Sequence, residues 1–245
     1  MTVSDPREDI SVESLLNIAE KYPLVEFGIQ AHPYSMSRGQ ARNIWFDKIV
    51  KTFQNMPKQP NLALHINYDW CNYICTGIIP YELDWWLRVP NAYTNLPVIH
   101  RIQLNIGDFA YDFDAKKLAR LIAVHPNQEF ILPFNNRTKY KAEKLKQTGA
   151  KFSLLFDDSY GAGITPNKWD APVYEDIPHG YAGGLGPDNI AQNLDKINSV
   201  LPENYETWID AEGKLRDKKT TRVFTINLAE KYLQNALAWY NQHTK

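Results

Sequence analysis

The sequence predicts an α/β fold in which a single (β/α)8 TIM-type barrel of parallel strands occupies the whole chain, residues 1–245. Short apolar segments alternate with amphipathic segments of helical period, which is typical of parallel βα units. The chain length is close to the roughly 250 residues of such barrels. No linker composition divides the chain, so we expect one domain.

The elements can be assigned in order along the chain. A leading helix is predicted over residues 11–21, with Leu15, Leu16 and Ile18 on its apolar side. The recognisable strands lie at residues 24–29, 61–67, 97–106, 129–134, 151–156, a segment ending at 180–182, and 206–210. Further helices are predicted over residues 39–53, 114–124, 139–148, 187–197 and 227–240.

One more strand is needed to close an eight-stranded barrel, and its position is not obvious. Residues 68–96 are irregular and rich in aromatic residues, including Trp70, Trp85 and Trp86. We expect either that a strand lies in this insert or that the barrel departs from the standard count. A doubly wound open sheet is the alternative fold. No Gly-x-Gly-x-x-Gly motif follows the first recognisable strand, which argues against a dinucleotide site.

Composition excludes several classes of function. The net charge is −1, from 27 basic and 28 acidic residues, and no basic stripe suggests a nucleic-acid partner. No apolar run reaches the roughly 20 residues of a membrane span, and the N-terminus does not resemble a signal peptide. We therefore expect a cytoplasmic location. Cys71 and Cys75 are too few for a disulfide framework or a structural zinc site. The oligomeric state is left open.

Residues 179–190 contain the most informative segment, a strand followed by a glycine turn and a helix start. Gly183, Gly184 and Gly186 allow positive φ and leave no side chain between backbone and ligand. Pro187 is suited to begin the helix. Free N–H groups at such a turn attract phosphate, although glycines also accumulate in ordinary βα turns. The segment indicates a site for a small phosphorylated ligand.

Polar residues follow most of the predicted strands, where a barrel places its active site. A ring of amide, imidazole and carboxylate groups suits a polyhydroxylated ligand such as a sugar. The alternative interpretation is that Asn and Asp cap helix starts and turns, as they do in many proteins. The candidate ligand-binding residues are Gln30, His32, Arg38, Asn67, Gln103, Asn105, Asn135 and Asp158.

Two acids from different strand ends, Asp157 and Asp210, are the candidate acid–base pair, and His65 is an alternative base. A metal site formed by His65, Asp69 and Asp157 is an alternative, but nothing in the sequence fixes their geometry. No metal or other cofactor is expected. The sequence has no Gly-x-Ser-x-Gly motif, so nucleophilic acyl transfer by serine is disfavoured.

Three segments in the same order resemble phosphoribosylanthranilate isomerase, a barrel enzyme. Residues 154–163, followed by Trp169, are similar to the family's sixth-strand segment. Residues 182–190 are similar to its seventh-strand phosphate turn, and residues 207–213 to its last strand and second glycine turn. Residues 102–105 are weakly similar to a Val-Gln-Leu-His strand. The resemblance covers about half of the chain, mainly residues 100–213.

The resemblance implies a role for each matching residue. Asp157 would be the general acid that protonates the sugar-ring oxygen in an Amadori rearrangement, and Asp210 would orient the substrate. The family has Cys-Gly in its first strand, with the Cys as general base, whereas the first recognisable strand here has Phe27-Gly28. The resemblance implies that Gly183, Gly184, Glu212 and Gly213 hold phosphate, beside Gly186 of the same turn.

Two functions are therefore predicted. The first is a phosphoribosylanthranilate isomerase-like protein that acts on a phosphorylated sugar or ribonucleotide-type ligand by isomerase or related lyase chemistry. The second is a non-catalytic protein that binds or senses such a ligand on a degenerate isomerase scaffold. Phe27 at the expected base position favours the second, and so do the aromatic residues of the insert, which can stack on a ligand ring.

Overall fold

A computed structural model describes residues 1–107, 112–159, 162–217 and 223–243. In these ranges the strands form a closed barrel of eight parallel strands, each hydrogen-bonded to the next in chain order. The last strand pairs with the first, through Asp210 opposite Thr2. The predicted (β/α)8 barrel is confirmed, and the alternative of an open doubly wound sheet is excluded.

Most strands and helices lie close to the positions predicted from the sequence. The strands are β1 (Thr2–Ser4), β2 (Glu26–Ala31), β3 (Asn61–Ile66), β4 (Arg101–Leu104), β5 (Glu129–Phe134), β6 (Ser153–Phe156), β7 (His179–Ala182) and β8 (Trp208–Ala211). The helices are α1 (Val12–Lys21), α2 (Pro33–Met36), α3 (Ala41–Gln54), α4 (Tyr68–Cys75), α5 (Tyr81–Arg88), α6 (Ala115–Ala123), α7 (Lys139–Lys146), α8 (Ile190–Asn198) and α9 (Ile226–His243). A short 3-10 helix covers Gly213–Leu215.

The missing strand is at the N-terminus, before the leading helix. β1 has three residues, too few to show the alternation by which strands are recognised. It is stabilised by pairing on both sides, with Val3 opposite Phe27 of β2 and Ala211 of β8. Every recognised strand is therefore one place later in the barrel than its sequence order suggested. In particular, Phe27 lies in the second strand and not in the first.

The aromatic-rich segment 68–96 contains helices α4 and α5, so the expectation of a strand there was wrong. Its large aromatic side chains lie mainly on the outside of the barrel. Trp86 is buried against Phe46 of α3 with ring centroids 4.9 Å apart, and its indole N–H donates to Asp47 Oδ1 at 2.5 Å. Trp70 and Trp86 are both buried, so these two rings have a structural role that requires no ligand.

The helix after the glycine turn begins at Ile190, three residues later than the proline suggested. Residues 187–189 form a turn because the side chain of Asn189 competes for backbone groups. Its Oδ1 accepts from the Gly186 N–H at 2.9 Å, and its Nδ2 donates to the Gly184 carbonyl at 2.9 Å. The turn is thereby held in one conformation beside the barrel mouth.

Between β6 and β7 the described residues, 157–159 and 162–178, contain no helix. The connection is instead fixed by side chains. Trp169 is buried and donates to Asn193 Oδ1 of α8 at 3.0 Å, and Tyr181 of β7 donates to the Asp170 carbonyl at 2.8 Å. The described residues of this loop therefore have a defined position at the mouth. None of the described helices combines the length and apolar character that a membrane span requires.

Candidate active site

A cavity of about 690 Å³ opens at the carboxyl ends of the barrel strands. This volume is within the range of small-molecule sites in proteins. Most of the residues selected from the sequence line it. They are Gln30, His32, Asn67, Gln103, Asn105, Asn135, Asp157, Gly183, Gly184, Asp210, Glu212 and Gly213.

Four of the selected residues do not line this cavity. His65 is enclosed in the barrel, and a Cβ at Gly28 would lie 2.6 Å from its imidazole ring. Burial lowers the pKa of His65 to about 4, so the ring is neutral near pH 7. Arg38 and Asp158 are exposed to solvent. Gly186 lies under Lys214, whose Cβ would be 2.5 Å from an added Cβ.

Asp210 is the buried acid of the site. It lies in β8 next to Ala182 of β7, and its Oδ1 accepts a hydrogen bond of 2.5 Å from the Ser4 hydroxyl of β1. Its exposed fraction is 8%. Burial raises the pKa of Asp210 to about 7, against the stabilising hydrogen bond from Ser4, while the charges of Glu26 and Asp157 add to the rise. Asp210 can thus accept or donate a proton near neutral pH.

The raised pKa of Asp210 predicts a pH-dependent stability. Because the ordinary pKa is 3.8 and the native pKa is about 7, the native state favours the protonated acid, and stability falls as pH rises from 3.8 to about 7. The isosteric change Asp210→Asn removes this loss. In urea unfolding at about pH 4.5 and about pH 8, the variant should gain on the order of 2 kcal/mol relative to wild type at the higher pH. A stability difference that did not change with pH would contradict the assignment.

Asp157 follows β6, so Asp157 and Asp210 flank β7 from either side. Asp157 Oδ1 accepts from both the N–H of Ser159 at 3.0 Å and its hydroxyl at 2.6 Å. These bonds fix the carboxylate at the cavity wall. A Cβ on Gly183 would be 3.7 Å from the same oxygen, which places the acid directly beside the glycine turn.

The glycine turn needs glycine for steric reasons. Gly183 and Gly184 have φ of 117° and 58°, and a Cβ on Gly184 would be 2.4 Å from the Thr165 nitrogen. The loop after β8 joins this surface at Gly213, where an added Cβ would be 3.7 Å from the Cα of Gly163. Backbone from the loops after β6, β7 and β8 therefore converges without intervening side chains.

The converging loops offer donors to an anion. Within the described ranges, the N–H groups of Gly183, Gly184 and Gly213 have no backbone acceptor in the turns and loops. A cation lies close by, since Lys214 Nζ is 3.2 Å from the Thr165 hydroxyl, which itself donates to the Gly184 carbonyl. We call the surface formed by Gly163, Gly183, Gly184 and Gly213 the glycine cradle. Its chemistry suits phosphate.

A cluster of arginines around Asp5 was missed from the sequence. The Asp5 carboxylate, 3% exposed, accepts from Arg7 and Arg216 at Oδ2 and from Arg42 at Oδ1, at distances between 2.8 and 3.1 Å. Asp5 follows β1 directly, with φ of 65°. Recognition of β1 would have identified it, because the residue after a barrel strand is at the mouth. All four residues line the cavity.

Asn135 fits the alternative interpretation of amides at strand ends, in which they cap turns and helix starts. Its Oδ1 accepts from the N–H groups of Arg137 and Thr138, at 2.9 and 3.2 Å, just before α7. Its Nδ2 donates to the Asp157 carbonyl at 3.0 Å. Both polar atoms of the side chain have partners in the chain, and the side chain therefore fixes the loops after β5 and β6.

The aromatic insert contributes one ring to the cavity wall. Tyr68, with φ of 54°, packs edge-on against His32 with centroids 5.4 Å apart, and both residues line the cavity. Tyr34 completes a cluster at the rim, 5.9 Å from His32. In the part of the chain that the structure describes, no group of three or more His, Cys, Asp or Glu side chains is arranged to hold a metal ion. Asp69 instead contacts the Tyr34 hydroxyl, at 3.4 Å.

Comparisons with known proteins address the fold. No family model and no curated protein sequence matches the chain. Solved structures do match, among them one described as "Native KDPGal structure", with a TM-score of 0.52 and 14% sequence identity. The alignment covers 98% of this chain and 94% of that chain. At this identity the likeness shows the shared barrel fold alone.

Proposed function

We propose that this protein is an enzyme that acts on a phosphorylated sugar by isomerase-type acid–base chemistry. The observation that carries the proposal is the placement of two acids beside one glycine cradle. Asp157 and Asp210 flank β7, the strand that leads into Gly183 and Gly184. A phosphate bound at the cradle would bring the attached sugar within reach of both acids.

The resemblance to phosphoribosylanthranilate isomerase supports the same roles. The three similar segments correspond to β6, β7 and β8 and to the loops that follow them. Asp157 is then the general acid at the ring oxygen, and the backbone of Gly183, Gly184 and Gly213 holds phosphate. The Glu212 side chain is not assigned to phosphate in this proposal, since its carboxylate accepts hydrogen bonds from Gln30 and Arg216.

The base position needs revision because Phe27 belongs to β2. The first strand ends at Ser4 and is followed by Asp5, whose carboxylate is occupied by three arginines. Asp210, with a pKa of about 7, is the better base. In an aldose–ketose isomerisation, Asp157 would protonate the ring oxygen as the ring opens. Asp210 would take the proton from C2, and reprotonation of the enol form would give the ketose.

Two other chemistries are less well supported. A lyase that works through an imine requires a lysine in the cavity, and none of the described residues that line it is a lysine. The binding-protein alternative rested partly on Phe27 in the place of the base. Since Phe27 is a buried residue of the second strand, that argument no longer applies.

Turnover with a defined ligand tests the proposal. Wild type should convert phosphoribosylanthranilate, or a related phosphorylated aldose derivative, to its ketose isomer, as followed by NMR. Asp157→Asn should bind the same compound with similar affinity but fail to convert it. Recovery of the bound compound unchanged from wild type would leave a binding protein and overturn the catalytic proposal.

A further inference from the structure

A chain of four side-chain amides crosses the cavity mouth from β4 to the residue after β8. Gln103 Nε2 donates to Asn105 Oδ1 at 3.0 Å, and Asn105 Nδ2 donates to Asn67 Oδ1 at 3.0 Å. Asn67 Nδ2 donates to Gln30 Oε1 at 2.5 Å, and Gln30 Nε2 donates to Glu212 Oε2 at 3.0 Å. All five residues line the cavity. We call the four amides the amide chain.

Every amide in the chain donates towards Glu212. This orientation is fixed by two acceptors outside the chain, the Glu212 carboxylate and the His65 carbonyl. An ionised carboxylate cannot donate, so Gln30 must turn its NH₂ group towards Glu212. The backbone carbonyl of His65 accepts from Asn67 Nδ2 at 3.0 Å, and this fixes Asn67 whatever the protonation state of Glu212. Reversal of Gln103 would place oxygen against oxygen, and reversal of any of the other three amides would also place nitrogen against nitrogen. The nitrogen and oxygen positions of every amide are therefore determined by the network.

One polar atom of the amide chain is left without a partner. Every other side-chain nitrogen and oxygen of the four amides has a hydrogen bond within the described chain, but Gln103 Oε1 has none. It is not among the fully buried unpartnered atoms of the described residues. Because Gln103 lines the cavity, this oxygen is accessible from it. The amide chain thus presents a fixed acceptor at the β4 side of the mouth.

We propose that Gln103 Oε1 is a specificity-determining acceptor that selects a hydroxyl group of the sugar. A glutamine free to rotate can present either its oxygen or its NH₂ group to a ligand. Gln103 cannot exchange the two without breaking the bond to Asn105, so it favours a donor and disfavours a group that only accepts. The identity of the ligand as a phosphorylated sugar rests on the proposed function, but the direction of the amide chain does not.

Titration with a matched set of sugar phosphates tests this proposal. The probes are ribose 5-phosphate and analogues in which one hydroxyl at a time is replaced by hydrogen or by fluorine. At one ring position, both replacements should weaken binding to wild type by about tenfold, the effect of one lost neutral hydrogen bond. Gln103→Met should bind the three compounds of that position with nearly equal affinity.

Three controls separate the possible causes. Gln103→Met should bind inorganic phosphate like wild type, because the cradle is unchanged. Gln40→Met makes the same substitution at an exposed helix cap that forms no side-chain cap bond, and should leave the discrimination intact. If Gln103→Met does not fold, Asn105→Ala takes its place. This variant frees the Gln103 amide to rotate and should reduce the discrimination to about threefold or less.

The outcomes distinguish the two proposals. Discrimination that survived in Gln103→Met would overturn the role of Gln103 while leaving the phosphosugar function standing. Equal binding of all analogues by wild type would do the same. If wild type bound neither ribose 5-phosphate nor inorganic phosphate, the proposed function would be overturned, and the hydroxyl selection with it.

Discussion

Replacement of Asp210 by asparagine should lower kcat/KM by about 10²–10⁴-fold, the usual cost of removing a general acid or base. The amide keeps the shape of the side chain and can still accept from Ser4, but it cannot exchange a proton. Binding of the phosphorylated ligand should change little, because the cradle is formed by backbone of the loops after β6, β7 and β8, whereas Asp210 lies within β8. Steady-state kinetics with the compound turned over by wild type provides the measurement.

The pH dependence of kcat/KM is a second test of Asp210 as the base. Since the pKa of Asp210 is raised to about 7, kcat/KM of wild type should rise through a limb near this pH, and the limb should be absent from Asp210→Asn. Ser4→Ala removes a donor that stabilises the carboxylate, so it should move the limb to higher pH. Asp84→Asn changes a partly exposed acid of α5 that pairs with Arg88, and serves as the matched control. Unchanged kcat/KM in Asp210→Asn would exclude Asp210 as the base.

Introduction of a carboxylate at Gly213 should weaken binding of phosphorylated ligands by about 100-fold or more, because like charges in one site cost several kcal/mol. Gly213 suits this test better than Gly184. An added Cβ at Gly213 meets only the Cα of Gly163 at 3.7 Å, whereas at Gly184 it would collide with backbone. Isothermal titration with a sugar phosphate and with inorganic phosphate measures the loss.

Two matched variants separate charge from size. Gly213→Ala adds the Cβ without the charge and should retain most of the affinity. Gly149→Asp adds the same charge at a glycine with φ of 77° and no atom within 4 Å of the new Cβ, in the segment between α7 and β6 that enters the barrel at the end opposite the cradle. It should bind like wild type. If Gly213→Asp also bound phosphate like wild type, the cradle would have to be abandoned as the anion site.

The sequence was sufficient for the barrel because most of its elements carry a clear hydrophobic period. The leading helix was predicted over residues 11–21, and the structure has it over Val12–Lys21, with the Ser11 hydroxyl accepting from the Ser14 N–H as the N-cap. β1 escaped detection because three residues carry no period, and its stability comes from two neighbouring strands. Phe27 was therefore assigned to the first strand, and Asp5 was not recognised as the residue that follows it.

The candidate site was predictable where residues follow strands directly. Asp157, Asp210 and the glycines of the β7 turn could be selected because strand ends in a barrel converge. Arg42 and Arg216 could not, since each reaches the mouth from outside a strand, and only the folded chain brings them to Asp5. The place of His65 could not be predicted either, because inward-facing residues of a barrel strand lie either in the cavity or, as His65 does, in the enclosed interior.

The direction of the amide chain lies beyond any single-sequence argument. Alternation along β3 and β4 indicates that Asn67 and Asn105 each share a face with the residue two places earlier. It does not show that the two amides meet, nor that Glu212 from the far end of the chain stands at the end of their network. These contacts follow from closure of the barrel, which brings β8 beside β1.

The most direct test of a phosphosugar site is the thermal midpoint of wild type with ribose 5-phosphate and with ribose, at equal concentrations. A ligand that binds only the native state raises the midpoint by mass action. We expect a clear rise with ribose 5-phosphate and none with ribose, since the glycine cradle supplies the contacts that the phosphate needs. An equal rise with both sugars, or none with ribose 5-phosphate, would contradict phosphate recognition by the cradle.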